Sequence, residues 1–224
     1  MANRFVRPRY RKVGWDYKLR KFLGGHDYPL ERAHYSWREL FHDDEKNRIF
    51  SETARAELHG YDPFATFEGY FADVEGAGYL DRLLYVDTKT WLQDDILVKV
   101  DRMSMAHSVE VRCPFLDHRL VEFCAQLPHR AKMSLLKQKT ILREATAKVI
   151  PAEIHRRPKK GFNAPTRQLG SLALQSRTLP DVFDGGFELD PNAEDITFKS
   201  FVFAVLDTWM EMFDSYRKGT GWHA

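Results

Sequence analysis

The sequence predicts a mainly helical chain without a β-sheet of its own. Three observations carry that expectation. Apolar residues recur at helical spacing, as in Leu83, Leu84, Val86, Leu92, Ile96, Leu97 and Val100. Helix-start signals recur as well, with acidic Asp43-Asp44-Glu45 in one first turn and Asp62-Pro63 ahead of another. Strand-like alternation is confined to Glu110-Val111-Arg112-Cys113 and stops at Pro114.

Taken in order, residues 15–23 and 30–41 read as helices, the second preceded by Pro29, and Asp43 to Phe50 follows. Asp62-Pro63 starts a helix through Phe71. Leu80 to Met105 reads as two helices with a break near Asp87 to Thr90. Asp117 is placed to cap a helix running through Ala125. Lys137 to Val149 is predicted helical and ends before Pro151, and Phe198 to Tyr216 forms a long aromatic-faced closing helix. Loops fall at residues 156–165 and at 184–191, where two glycines are adjacent.

Composition narrows the class. The 224 residues are 43% hydrophobic and 29% charged, enough for one sizeable core or two small ones and too apolar for a disordered chain. No run of about 20 apolar residues suggests a membrane span, and MANRFVRPRYRKVGW has no apolar stretch behind its basic residues, so it does not read as a secretory signal. Cys113 and Cys124 form neither CxxC nor a zinc spacing, which suits reduced thiols in the cytoplasm. The N-terminal run Arg4, Arg7, Arg9, Arg11, Lys12, Lys18, Arg20 and Lys21 could face nucleic acid, but a net charge of +2 fits a solvated helix face better.

Two segments hold the candidate chemistry. In VKVDRMSMAHSVEVRCPFLDHRLVEF, Asp101, Arg102, Glu110, Arg112 and Asp117 are threaded through apolar residues that look ready for burial. Buried charges must be paired and hydrogen-bonded, so these five read either as a network that fixes the fold or as the lining of a site. Nearby Asp94 and Lys99 read as surface charges, and Asp95 pairs with Lys99 at i, i+4. In HRRPKKGFNAPT, Lys159, Lys160 and Gly161 form the lysine-plus-glycine pattern that holds phosphate oxygens, although the spacing is not that of a P-loop. Lys139 and Arg143 offer a second cationic pair at i, i+4, which could share one anion with the loop. No residue is assigned to a metal.

The run DDILVKVDRMSMAHSVEVRCPFLDHRLVEF, then Leu127-Pro128, then Lys139 ahead of LREA, then IPAEIHRRPKKGFNAPT, resembles the C-terminal part of the synthetase domain of glutamine-hydrolysing asparagine synthetase. The likeness is strong over residues 85–166 and loose before them, and after them only the closing helix is similar, so that 1–224 reads as the C-terminal portion of that domain. Cys113 stands where valine is common, a small apolar exchange. The resemblance implies a fold: the helical C-terminal half of an adenine-nucleotide α-hydrolase-like (ATP pyrophosphatase) α/β domain, whose parallel sheet is not in this chain. It implies activation of the aspartate side chain by Mg-ATP, followed by displacement of AMP by ammonia drawn from glutamine.

Residue by residue, the resemblance puts Lys159 at the α-phosphate or pyrophosphate as the catalytic cation, with Lys139, Lys160 and Gly161 around the phosphates. Asp101, Arg102, Glu110, Arg112 and Asp117 become a buried polar framework beneath a charged substrate. The 224 residues contain no SGGxDS pyrophosphate loop and no GGDE-type acidic segment for magnesium, and Ala2 rather than cysteine follows Met1. ATP, Mg2+, aspartate and glutamine are therefore expected of the complete enzyme, with most ligands for ATP and magnesium outside this chain, and the chain alone is expected to be inactive. An exposed apolar face is expected where a partner chain or a second copy would pack. The alternatives are a related amide- or lactam-forming synthetase and a non-catalytic helical module that binds a partner protein.

Overall fold

The computed structural model describes residues 19, 22–134, 137–157, 182–184 and 196–218. The chain divides into two units, one formed by Met1–Asp62 with Gly161–Ala224 and the other by Pro63–Lys160. Among the described residues there is no named strand, only isolated antiparallel bridges at Phe50–Phe183 and Met133–Gln138. No helix among them is long and apolar enough to cross a membrane.

In the first unit, helix α1 spans Leu30–Ser36, α2 Asp43–Ile49 and α3 Glu52–Glu57. The predicted helix over 30–41 stops early, with Trp37 as its C-cap. Helix α2 starts where its acidic first turn predicts, and the Glu45 carboxylate accepts the His42 backbone N–H at 3.2 Å. Helix α3 is short and was not legible in the sequence. Ser51 caps it by accepting the Ala54 N–H at 3.2 Å.

The core of this unit is aromatic. Phe183 is buried, stacked 6.1 Å from Phe50 and edge-on at 5.2 Å to Phe203 of the closing helix. Backbone bonds from Ser51 N to Val182 O and from Asp184 N to Ile49 O, each 2.9 Å, pin that contact. Phe41 meets Phe203 at 5.4 Å.

The second unit opens with α4, Phe64–Ala72, and α5, Tyr79–Asp87. Pro63 sits just ahead of α4 with φ −58°, while the Asp62 side chain, expected as a cap, pairs with Arg32 at 2.6 Å. Phe64, Phe71 and Val86 form the buried core, and the Arg82 guanidinium lies 5.7 Å from the Phe71 ring.

The predicted break near Asp87 to Thr90 is absent. The chain passes without interruption from α5 into a π-helix over Thr88–Leu97 and on into α6, Val98–Met105, with Asp87, Thr88, Leu97 and Val98 all in right-handed helical conformation. A local cause is visible. Thr88 Oγ1 donates to Leu84 O at 2.7 Å and Thr90 Oγ1 to Val86 O at 2.8 Å. These hydroxyls compete with the backbone for i−4 carbonyls, which loosens α-helical winding. The sequence thus marks the right place, but the change there is one of winding.

A 3₁₀ turn over Pro114–Leu116 leads to α7, His118–Ala125, and α8, His129–Lys132. The helix expected from Lys137 to Val149 is shorter: α9 is Thr140–Thr146, because Lys139 is left-handed (φ 57°) and a helix cannot pass through it. Helix α10, Ala152–Arg156, follows Pro151. Lys132 holds α5 by pairing with Asp81 at 2.5 Å and also donates to Ala125 O at 2.9 Å. The closing helix of the first unit, α11, is Ile196–Arg217.

Candidate functional site

Helix α6 ends with a two-bond closure. Ser108 takes the left-handed conformation (φ 55°), its N–H bonds to Met105 O at 2.9 Å, and the next N–H, of Val109, reaches back to Ser104 O at 3.0 Å. This is the Schellman arrangement, here without glycine. It turns the chain into the irregular stretch that carries Glu110 and Arg112. The Glu110 and Arg112 side chains, two positions apart, pair at 2.9 Å. Their alternation therefore produces an ion pair, not a strand.

Asp117 caps α7. Its carboxylate accepts the Arg119 N–H at 3.0 Å and takes a two-point contact from the Arg119 guanidinium at 3.0 and 2.7 Å. The guanidinium bonds chiefly, with the backbone N–H bonds, hold the Asp117 carboxyl below its ordinary range, and the same contact raises Arg119.

The expectation of a buried framework is corrected in this chain. Asp101, Arg102, Glu110 and Arg112 are exposed and Asp117 is half-buried. The Glu110–Arg112 pair keeps 69% and 84% of its side-chain surfaces in solvent, so it adds little stability. The reason is packing: the apolar residues around the charges are exposed too. Met103, Phe115 and Phe123 are open by 65%, 66% and 57%. Upstream, Asp95 is held by Lys99 at 2.8 Å and by the Trp91 ring N–H at 3.1 Å, at the surface as expected.

The cationic pair is also rearranged. Lys139 is exposed and stands at the N-cap position of α9, where its side chain makes no capping hydrogen bond. Arg143 is drawn away from it: its guanidinium donates to His155 O at 2.8 Å, and the His155 ring Nε2 meets Arg143 O at the same distance. A carbonyl only accepts, so Nε2 carries the proton. Nothing in the sequence singles out His155 beyond its place ahead of the basic segment. Lys159, Lys160 and Gly161 lie outside the described residues.

Among the described residues no three His, Cys, Asp or Glu side chains gather to hold a metal ion.

The asparagine synthase family model matches residues 4–183, well beyond the segment of strongest likeness. Over 117 residues the chain is 40% identical to a putative glutamine-hydrolysing asparagine synthetase of Mycobacterium bovis, covering 50% of this chain and 18% of the relative. It is 33% identical over 125 residues to glutamine-hydrolysing asparagine synthetase 1 of Bacillus subtilis, covering 54% and 20%. It is 36% identical over 90 residues to the amidase chry2 of Gibberella zeae, covering 37% and 13%. The matched part thus spans about a fifth of the length of these synthetases. No solved structure matches the chain. With a family match over most of its length, and a helical body that agrees with the helical part of such a domain, the chain belongs to the asparagine synthase family.

Proposed function

We propose that this chain forms the helical part of an asparagine synthetase-type ligase. In that reaction an aspartate side-chain oxygen attacks the α-phosphorus of ATP, pyrophosphate leaves, and ammonia from glutamine then displaces AMP from the acyl-adenylate. One observation carries the reading: within the family match over 4–183, the run from Asp94 to Phe123 is followed in order by Lys139 and by Lys159-Lys160-Gly161. In this reading Lys159 stabilises charge developing on the α-phosphate and departing pyrophosphate. Lys139, Lys160 and the Gly161 N–H hold phosphate oxygens.

Asp101, Arg102, Glu110, Arg112 and Asp117 become the polar framework once a nucleotide-binding layer covers them. The exposure of Met103, Phe115 and Phe123 beside them supports such a cover. The free thiols Cys113 and Cys124 suit a cytoplasmic setting.

The test is aspartate-dependent ATP–pyrophosphate exchange, with asparagine scored by mass spectrometry, in the native polypeptide that carries this sequence. Exchange should require aspartate and fall by two orders of magnitude or more, about 3 kcal/mol, in Lys159→Ala. Exchange indifferent to Lys159 would sink the reading. The likeness to an amidase keeps a second reading open, a related enzyme acting on another amide. Amide formation from a carboxylate other than aspartate would select it.

A further inference from the structure

Helix α11 is packed along one side and open along another. Near its start Lys199 and Ser200 are buried, and Phe203 meets the Phe183 and Phe41 rings edge-on. Among the described residues of α11, none past Ser200 is buried. On a different side, by helical periodicity, run Phe198, Val202, Val205, Trp209 and Met212. All are exposed except Val202, which is half-buried. The Trp209 ring is stacked at 5.3 Å on Phe213, which is also exposed. The steps along this stripe are 4, 3, 4 and 3 residues. That is the heptad alternation with which one helix seats against another.

We infer that α11 is a pairing helix, and that a second copy of this chain lies antiparallel along it, with Val205 of one copy against Trp209 of the other. The helix is 22 residues, about 33 Å long, enough for three heptads.

Charge and size both select a second copy. The acidic residues Asp207, Glu211 and Asp214 fall at outer positions of the heptad, and the positions flanking the stripe from Phe201 to Ser215 carry no charge. A helix of opposite charge would be recognised through those flanking positions. With none charged, this acidic helix meets no repulsion from an identical one. In an antiparallel pair whose two-fold axis passes by Asp207, Val205 faces Trp209 and Val202 faces Met212. Each large side chain then meets a small one. The stripe is complementary to itself, as an isologous interface requires. Parallel alignment would set Trp209 against Trp209 and valine against valine, with crowding in one layer and a gap in the next. The antiparallel arrangement also opposes the two helix dipoles.

The experiment is sedimentation over a concentration series, on the native polypeptide carrying this sequence and on Val205→Lys, Trp209→Glu, Trp209→Gln and Glu211→Lys. Circular dichroism checks that each variant stays folded. The parent should be dimeric at micromolar concentration. Val205→Lys and Trp209→Glu each put an unpaired charge into the seam and should weaken pairing by about 100-fold or more. Trp209→Gln introduces no charge and should weaken it by about tenfold. Glu211→Lys, at an outer position, should leave pairing intact. An equimolar mixture of the Val205→Lys and Trp209→Glu proteins should pair again, because the antiparallel register sets their opposite charges face to face.

A monomeric parent would overturn the inference. So would a dimer that survives the changes at Val205 and Trp209, since the contact would then lie on another surface. A mixture that stays monomeric would overturn the antiparallel register, and an equal loss in Glu211→Lys would overturn the seam. None of these residues is assigned to the synthetase reading, so either can fail while the other stands.

Discussion

The Lys199 ammonium lies against the Glu45 carboxylate, tying the first turn of α2 to α11, and only 7% and 27% of the two side chains remain exposed. Lys199 also stands 5.2 Å over the Phe41 ring. Burial alone would raise the Glu45 pKa. Bonds from Lys199 and from the His42 N–H outweigh it and leave the carboxyl below its ordinary value of 4.5.

A carboxyl whose pKa is lowered by folding stabilises the fold above its unfolded pKa, and that contribution is lost as pH falls through the folded value. Melting temperature should therefore drop on acidification below about pH 4.5, and drop less steeply in Glu45→Gln. Glu45→Ala at pH 7 deprives a buried ammonium of this carboxylate and should cost about 2–4 kcal/mol, reduced from the fully buried case by the partial exposure of Glu45. Thermal unfolding by circular dichroism from pH 3 to pH 7 measures both; parallel pH profiles for parent and Glu45→Gln would contradict this.

Ser108 holds a left-handed conformation at the end of α6 (φ 55°). Removing its Cβ relieves strain of about 1–2 kcal/mol, partly offset by the greater freedom of glycine in the unfolded chain. Ser108→Gly should raise stability by up to about 1 kcal/mol, whereas Ser108→Val should lower it by a similar amount or more. The shift in urea midpoint at unchanged slope is the measurement.

Lys139 has the same backbone strain (φ 57°) at a position proposed to meet phosphate. Lys139→Gly should raise the melting temperature of the chain and, in the native polypeptide, lower exchange about tenfold or more. A variant gaining stability at no cost to exchange would remove Lys139 from the phosphate site.

The apolar surface over Val98 to Phe123 gives a fourth expectation. With Met103, Val109, Phe115 and Phe123 more than half open, the 224-residue chain purified by itself should bind a hydrophobic dye and self-associate at micromolar concentration. It should turn over no ATP with aspartate, since it contains no SGGxDS loop. Light scattering and an AMP assay decide these points. A dye-silent monomer would instead favour a stand-alone helical module.

Helical class, the acidic start of α2, the Asp117 cap and the closing helix were all legible, because each rests on local rules: periodicity, capping and first-turn charge. So was the change near Asp87 to Thr90, though threonine back-bonding turned an expected break into a π-helix. Burial was not legible. Charges among apolar residues looked like a core framework, yet the pattern at Asp101, Arg102, Glu110 and Arg112 says only that something should cover them. Within this chain they are exposed.

By itself the sequence determined the family, the helical composition and the order of the candidate phosphate-binding lysines, since motifs and periodicities are properties of neighbouring residues. Only the tertiary structure decided that Arg143 turns from Lys139 to clasp His155 across 12 positions. It likewise decided that Lys199 finds Glu45 154 positions away and that Lys132 finds Asp81 across 51. Such pairings depend on where the backbone brings distant helices together, and no local pattern encodes that.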